Sequence, residues 1–507
     1  MSRRLGLEVA AIALVLIACT AGLSERPSPP ATASLSLSPA PTAAVSSTPA
    51  GDATPTPVPS TGAPAVTPAP TASSTTPPAP VASLPVSGSM DEIESVLIAP
   101  GLKGFLYVAI SRPPGGGSIL VLLDPDGTPY PGWPIVVGES NNCRLFLRVA
   151  DGSVRFACTD YVDLTLWVFA FDASGRSMAG WPINLGRVGL DAGRMIDEKL
   201  TILTGAANEV WITSIGVDGV PHPGVRVAID ASLGGGDWAI GPDGVAYGTF
   251  QTPFDESIAA ERAKAKSALF AVGPGGIAAG FPVSIAGWAS RPAFDGAGRV
   301  HLVVGSPFEP PTRMLVFDTA GQTATGASGV LDVAAPADAE SAGPSGHHAP
   351  PLVGADATRF VVAGFNDTTV LAIGPSGQPL AAGWPYRSDL RLQQNFICPP
   401  RAACDGTTYA APAIGPGNVL YLLQSGRFGP TGLSGGSIVA IGPDGRVRTG
   451  WPRTLKRAGS GFWMVVVGSD GTAFALAVEQ ESIGYSATVL AIAPDSTVRY
   501  ATTIVEP

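Results

Sequence analysis

The segment Val168-Phe-Ala-Phe-Asp-Ala-Ser-Gly-Arg-Ser-Met-Ala-Gly-Trp181 contains the features that decide the fold of this chain. An apolar stretch with the composition of a β-strand leads into a polar turn that contains glycine, and the triplet Gly-Trp-Pro follows. Five copies keep an aromatic residue between glycine and proline: Gly132-Trp133-Pro134, Gly180-Trp181-Pro182, Gly280-Phe281-Pro282, Gly383-Trp384-Pro385 and Gly450-Trp451-Pro452. Three weaker copies turn at Gly219, Gly321 and Asp495, which makes eight in all.

A second phrase, made of a strand, an Asp-Gly type of turn and another strand, alternates with the first. Its eight turns fall near Gly101, Gly152, Asp197, Gly244, Gly298, Asp356, Gly417 and Gly471. Two alternating hairpin turns imply four strands in each unit, and residues 91–507 divide into units of roughly 52 residues. Four-stranded units repeated around an axis form a β-propeller. We therefore predict an all-β domain with a single propeller of about eight blades, or seven because the last glycine turn is degenerate.

The quoted segment resembles the tryptophan-docking repeat of PQQ-type (quinoprotein-like) propellers, which runs aliphatic-x-Ala-aliphatic-Asp-x-x-x-Gly-x-x-x-x-Trp. The resemblance extends over the folded region and implies that each ring packs between neighbouring blades. It gives this blade-packing role to Trp133, Trp181, Phe281, Trp384 and Trp451. Blades 3, 5 and 8 lack the aromatic residue, so we expect their junctions to pack differently. The quinoprotein activity is not transferred, since the chain has no Cys-Cys pair and offers no recognisable calcium ligands; no cofactor is predicted.

The N-terminus has the order of a lipoprotein signal peptide. Arg3 and Arg4 precede an uncharged apolar run that ends in Leu16-Ile17-Ala18-Cys19. This ending resembles the bacterial lipobox, in which a small residue precedes the cysteine whose thiol receives the lipid. The resemblance implies that residues 1–18 are removed and that Cys19 anchors the protein to the outer side of the cell membrane, or in the periplasm if there are two membranes. The alternative is an ordinary signal peptide with a chance cysteine.

Residues 19–89 are rich in Pro, Ser, Thr and Ala and poor in large apolar side chains. Such a segment cannot bury enough surface to offset its conformational entropy, so we predict a lipidated cysteine followed by a disordered tether. Residues 90–507 then form the propeller. One short stretch, 255–266, has a helical pattern.

Four further cysteines are consistent with an exported protein and allow three disulfide pairings. Cys143 and Cys158 flank a predicted hairpin, and Cys398 and Cys404 would close a short loop. The alternatives are free buried thiols or a zinc site, and the lack of any CxxC spacing argues against zinc.

The formal net charge of −10 comes without any basic run, which argues against nucleic-acid binding. In an up-down-up-down blade the two short turns lie on one face, and the other two connections lie on the opposite face. Every long segment belongs to the connections on this opposite face: 112–117, 252–266, 307–311, 332–349, 387–408 and 426–435. Loops on a rigid scaffold commonly carry recognition, so we predict that this face binds a protein or polysaccharide. It could equally be the face that tolerates insertions.

Candidate catalytic or metal-binding groups are weak. His347 and His348 are adjacent in a long insertion, and adjacent histidines in an extended chain point apart. Ser434 lies in a Gly-x-Ser-x-Gly string that has meaning only between a strand and a helix. Asp124 and Asp126 match turns in which the side chain hydrogen-bonds its own backbone better than they match calcium-binding loops. We predict no catalytic and no metal residues, and a binding or scaffold lipoprotein rather than an enzyme; the alternatives are a propeller enzyme with its site at the channel mouth, or a structural part of an envelope assembly machine.

Overall fold

Eight of the antiparallel sheets are blades of a β-propeller, and together they account for the eight repeats of the sequence. The computed structural model describes Leu84, Val86–Ser87 and residues 95–506, apart from short internal segments. Those segments are 112–116, 138–141, 149–151, 160–164, 207, 231–232, 253–264, 306–312, 325–327, 332–348, 365–367, 382, 393–411, 426–427, 430–431, 434–435, 456–459 and 482–483. The predicted signal peptide, nearly all of the predicted tether and residues 255–264 of the predicted helical stretch 255–266 therefore lie outside the described residues, while Lys266 begins a β-strand.

The strands of blades 1 to 4 follow the chain from the innermost strand outward, and the last strand is often split in two. A short strand, β1 (Val86–Ser87), precedes them. Blade 1 contains β2 (Ser95–Pro100), β3 (Leu106–Ser111), β4 (Ser118–Leu123) and β5 (Ile135–Val137); blade 2 contains β6 (Asn142–Arg148), β7 (Ser153–Thr159), β8 (Thr165–Phe171) and β9 (Ile183–Arg187). Blade 3 contains β10 (Gly189–Ile196), β11 (Lys199–Ala206), β12 (Glu209–Ile215), β13 (Pro221–Pro223) and β14 (Val227–Ala228); blade 4 contains β15 (Gly234–Ile240), β16 (Ala246–Gln251), β17 (Lys266–Gly273), β18 (Gly276–Ile277) and β19 (Val283–Ala286).

Blades 5 to 8 repeat this order, and in blades 5 and 7 it is the first strand that is split. Blade 5 contains β20 (Trp288–Ala289), β21 (Ala293–Phe294), β22 (Val300–Gly305), β23 (Arg313–Phe317) and β24 (Gly329–Val330); blade 6 contains β25 (Leu352–Val353), β26 (Arg359–Gly364), β27 (Thr369–Ile373) and β28 (Tyr386–Arg387). Blade 7 contains β29 (Arg391–Leu392), β30 (Ala413–Gly415), β31 (Val419–Ser425), β34 (Gly436–Ile441) and β35 (Arg453–Thr454), with the hairpin of β32 (Phe428–Gly429) and β33 (Gly432–Leu433) between β31 and β34; blade 8 contains β36 (Gly461–Val467), β37 (Ala473–Glu481), β38 (Gly484–Ile492) and β39 (Val498–Glu506).

The described residues contain no α-helix, and two 3₁₀ turns occur at Leu102–Gly104 and Pro416–Asn418. None of the described residues belongs to a helix long and apolar enough to cross a membrane. The all-β class and the eight four-stranded blades predicted from the repeats are thus confirmed.

The middle strands are buried on both faces because each blade packs between two others. All residues of β3 and β4 are buried, which explains why Ser118-Ile-Leu-Val-Leu-Leu123 is almost continuously apolar rather than alternating. The outer strand β5 alternates instead, with Ile135 and Val137 buried and Val136 exposed. The apolar core is therefore a series of clusters between blades, arranged around the ring.

Ring closure rests mainly on packing between blades 1 and 8. One buried cluster joins Val108 and Leu123 of blade 1 to Leu476 and Ile504 of blade 8. In addition, β1 pairs in parallel with β39, with Val86 opposite Val505. The sequence assigned Val86 to the tether, and the structure makes it a fifth strand on the outer edge of the last blade. Both ends of the described chain thus meet in blade 8.

The propeller has two faces that differ in how the strands are joined. We call the side of the short turns, between first and second strands and between third and fourth strands, the turn face. We call the opposite side, where second strands lead to third strands and one blade leads to the next, the connection face. The segment 387–408 was predicted to join two blades; instead, Arg391 and Leu392 within it already belong to the first strand of blade 7, because β29 pairs with β31.

Candidate functional site on the connection face and at the blade junctions

The connection face carries the length variation of the chain. On the turn face, the turn between β2 and β3 spans 101–105 and the turn between β15 and β16 spans 241–245. On the connection face, β16 and β17 are joined by 252–265, and β24 is followed by about twenty residues before β25. The rigid sheets hold the starts and ends of these connections, while their lengths differ from blade to blade.

Polar side chains close the blades at the connection face. Residues at the end of the second strand and at the start of the third strand form buried cross-strand pairs in blades 1, 4 and 7: Ser111 with Ser118, Gln251 with Ser267, and Gln424 with Ser437. Ser267 also reaches blade 5, since its hydroxyl donates to Gly287 O at 3.0 Å and accepts from Ala289 N at 3.0 Å. The hydrophobic strands thus end in groups that can hydrogen-bond the connections or a polar ligand.

Two arginines bridge the innermost strands of blades 3, 4 and 5. Arg194 on β10 donates to the carbonyl oxygen of Ile240 at 3.2 Å, and Arg291, between β20 and β21, donates to that of Trp238 at 2.8 Å. Both acceptors belong to β15, so guanidinium groups from each side bind its backbone. Among the described residues, no group of three or more His, Cys, Asp or Glu side chains is arranged to hold a metal ion.

The aromatic residues of the Gly-aromatic-Pro triplets lie at blade junctions, and each peptide bond to the following proline is cis. Trp133, Trp181, Trp384 and Trp451 are buried, and Phe281 is half-buried. Three indole Nε1 groups donate to a carbonyl oxygen in a turn of the next blade: Trp133 to Ala173 at 3.2 Å, Trp181 to Val217 at 3.3 Å and Trp384 to Pro443 at 3.1 Å. Each of these rings therefore joins its own blade to the following one.

Each docking ring also contacts a side chain on the second strand of its own blade. Four partners are aromatic, at ring-centroid distances of 5.3–5.8 Å: Tyr107 with Trp133, Tyr247 with Phe281, Phe360 with Trp384 and Tyr421 with Trp451. In blade 2 the partner is Arg155, whose guanidinium lies 5.2 Å from the centroid of the Trp181 ring. In blade 5, which lacks the docking ring, the same register position holds His301, opposite Val316.

Two of the junctions without an aromatic triplet use other hydrogen bonds. Between blades 3 and 4, the amide of Val225 donates to Pro274 O at 2.9 Å. Between blades 8 and 1, the hydroxyl of Thr502 donates to Gly127 O at 2.7 Å. The expected difference in packing thus takes the form of direct contacts between the outer strand of one blade and the turn of the next.

The junction between blades 5 and 6 contains a buried polar cluster on the turn-face side. Asp295, from the first turn of blade 5, accepts from His301 Nε2 at 3.1 Å and from Arg299 Nε at 2.7 Å. His301 Nδ1 in turn accepts from Arg359 Nε of blade 6 at 3.1 Å, and Arg359 Nη1 donates to Gly374 O at 2.9 Å. The side chains of His301 and Arg359 are fully buried. The Arg359 donor requires His301 to be neutral, with its proton on Nε2.

Electrostatics agree with that tautomer. Burial, opposed by the hydrogen bond to Asp295 and reinforced by the charge of Arg359, lowers the pKa of His301 from 6.5 to about 4. Burial raises the pKa of Asp295, but its hydrogen bonds with Arg299 and His301 outweigh burial and hold that pKa below its usual range. The cluster therefore contains a carboxylate, a neutral imidazole and a guanidinium in series. In the sequence His301 stands apart from other titratable candidates, because its partners lie in a turn and in another blade.

The cysteines are partly described. Cys158 on β7 is buried and lies directly opposite Cys143 on β6 in the strand register. That register agrees with the backbone positions a cross-strand disulfide requires, and the disulfide remains a prediction. Cys19, Cys398 and Cys404 lie outside the described residues.

Of the other three histidines, His222 is exposed on β13, whereas His347 and His348 lie outside the described part of the chain, as does Ser434. Asp124 accepts from the backbone amides of Asp126 and Thr128 at 2.9 and 3.0 Å, so its carboxylate is used by its own turn.

No protein-family model and no curated protein matches this chain. Similar solved structures include a eukaryotic initiation factor (11% identity, TM-score 0.45, 85% of this chain and 91% of the other), the β-propeller domain of the Trilobed protease from Pyrococcus furiosus (8%, 0.38, 78% and 92%) and TolB from Acinetobacter baumannii (10%, 0.29, 70% and 82%). At these TM-scores the similarities carry no argument about function. The class of the protein, an all-β chain with an eight-bladed propeller, rests on its sheet topology.

Proposed function

We propose that this protein is an exported lipoprotein whose propeller binds a protein or polysaccharide through the connection face. The observation that carries this proposal is the confinement of the long connections to one face of a rigid ring. Recognition sites are commonly built from loops held by such a scaffold. The buried polar pairs at the base of the connection face support it further, because they supply donors and acceptors beneath the loops.

We propose that membrane attachment occurs through Cys19, and that the tether holds the propeller away from the lipid surface. The first described strand, β1, pairs in parallel with β39 at the outer edge of blade 8, so the end of the predicted tether joins the propeller there. We also propose that the PQQ-like repeat serves to pack neighbouring blades together, without quinone chemistry.

A crosslinking experiment tests the binding face. A photoreactive amino acid placed at Lys266, the exposed first residue of β17 on the connection face, should capture an envelope partner in living cells. If the partner is a glycan, purified envelope polysaccharide should be retained by the immobilised protein. The matched control is the same residue at Asp126, which is exposed in a turn on the opposite face. Capture from Asp126 alone, or equally from both positions, would contradict the proposal.

The anchor has an independent test. Cys19→Ala, or treatment with globomycin, should leave the signal peptide uncleaved or release the protein from lipid attachment, as read by labelled palmitate and membrane fractionation. Cys404→Ala is the control, because it removes one thiol without touching the lipobox. Unchanged palmitate labelling in Cys19→Ala would refute lipidation at this residue while leaving the binding face untested by that result.

A further inference from the structure

The buried guanidinium of Arg359 is incompletely paired by the protein. Its Nε and Nη1 donate to His301 and to Gly374 O, as described above. Its Nη2 is also buried and has no hydrogen-bond acceptor among the described residues. A buried ionised donor without an acceptor costs considerably more than a neutral one.

No described carboxylate forms an ion pair with Arg359. Asp295, the nearest acidic member of the cluster, already accepts four donors: Oδ1 accepts from the amides of Ala297 and Arg299, and Oδ2 accepts from Arg299 Nε and His301 Nε2. With His301 neutral, two arginines and one aspartate give the cluster a net charge of +1. Since a guanidinium stays protonated in proteins, this charge cannot be relieved by losing a proton.

The chemistry of the site selects the kind of ligand. The donor is a fixed, fully buried N–H of a cation, so the complement is an anion that brings its own charge. Arg359 and His301 are fully buried and Asp295 is 6% exposed, so this donor is closed to solvent and the anion must be small. A monatomic anion is the smallest that meets this requirement.

We propose that the junction of blades 5 and 6 holds a halide ion, chloride under ordinary conditions, bound to Nη2 of Arg359. The ion neutralises the excess charge of the cluster and takes part in joining the two blades where the docking aromatic is missing. It binds the folded ring and not the unfolded chain, so chloride stabilises the fold. At a chloride concentration ten times its dissociation constant, the unfolding equilibrium constant falls about tenfold.

The test compares unfolding in sodium chloride and in sodium gluconate at equal ionic strength and fixed pH. Wild-type protein should show a higher midpoint in chloride, with bromide acting in the same way. Arg359→Gln should lose this difference, because the neutral amide brings no charge to compensate. The matched control is Arg194→Gln, which removes an arginine that donates to the carbonyl oxygen of Ile240 in blade 4 and should keep the chloride effect.

A second measurement covers the case in which Arg359→Gln does not fold. Crystals of wild-type protein soaked in sodium bromide should show an anomalous peak within hydrogen-bonding distance of Arg359 Nη2. A water molecule at that position with no anomalous signal, or identical midpoints in chloride and gluconate, would overturn the proposal. A chloride effect that persists in Arg359→Gln would also overturn it, since the ion would then bind elsewhere.

Discussion

Acidification should weaken this protein through His301, and the size of the effect follows from the cluster around it. The unfolded chain protonates this histidine near its ordinary pKa of 6.5, whereas the folded protein does so only near a pKa of about 4. Between these values the unfolded state holds one more proton than the folded state. Stability is therefore fully present above pH 6.5, falls as the pH drops, and has lost the whole contribution below pH 4.

The magnitude comes from the difference between the two pKa values. At 1.36 kcal/mol for each pKa unit, the full loss is roughly 3 kcal/mol, and the part that falls between pH 7 and pH 5 is about 2 kcal/mol. The physical cause is that an imidazolium at this position cannot accept from Arg359 Nε and would face its positive charge without solvent. Carboxylates in the turns also change charge at low pH, so the contribution of His301 must be obtained by difference.

The measurement is urea unfolding, followed by tryptophan fluorescence in one salt between pH 5 and pH 8, for the wild type and His301→Gln. Glutamine does not titrate, and its amide can accept from Arg359 and donate to Asp295. We expect the free energy of unfolding of the wild type, relative to the variant, to fall by about 2 kcal/mol from pH 7 to pH 5. His222→Gln, at an exposed site, should keep the wild-type dependence because it retains His301. Parallel profiles for the wild type and His301→Gln would refute the argument.

Three further predictions concern blade packing and the disulfide. Trp181→Ala should lower the free energy of unfolding by ~3–5 kcal/mol in urea denaturation. The variant removes a buried ring, its hydrogen bond to Val217 O and its contact with Arg155. The control Val498→Ala, at an exposed site, should change that free energy by less than ~0.5 kcal/mol. Gly132→Ala should lower the free energy of unfolding by ~3 kcal/mol, because the residue has a positive φ and the new Cβ would overlap the carbonyl oxygen of Ser174. Gly186→Ala should lower it by only about 1–2 kcal/mol, because that residue has a positive φ but open space around the new Cβ. Equal losses in the two variants would show that the overlap has no effect. If Cys143 and Cys158 form the disulfide, Cys158→Ala should lower the free energy of unfolding by ~2–4 kcal/mol relative to the oxidised wild type. Relative to the reduced wild type it should cause no further loss. Counting the thiols that react with a maleimide in the denatured, non-reduced protein checks the pairing.

The strands, the turns and the number of blades could be predicted from the sequence because they depend on neighbours in the chain. An apolar run and an Asp-Gly turn form a hairpin locally, and Asp124 shows why: its carboxylate binds amides two and four residues further on. Repetition of these local signals was enough to give the fold class and to separate the two faces.

The contacts between blades could be predicted only where the sequence repeats them. The five aromatic triplets could be recognised because they recur along the sequence. The structure adds the carbonyl oxygen in the next blade that accepts a hydrogen bond from three of their indole groups. The junction of blades 5 and 6 has no repeated signal. Its members come from a turn and a strand of one blade and from a strand of the next, 58 residues apart between His301 and Arg359.

The sequence by itself determined that this chain is a repeated four-stranded β-protein, because strand and turn formation follow from local composition. Only the tertiary structure decided what meets across the ring: β1 on the edge of β39, Thr502 on Gly127, and a buried arginine opposite a neutral histidine. Those contacts join residues far apart in the chain, so their identity depends on how closure of the ring brings unrelated side chains together in buried junctions. The same packing buries Arg359 without a carboxylate partner, and the sequence alone contained no indication of this buried charge.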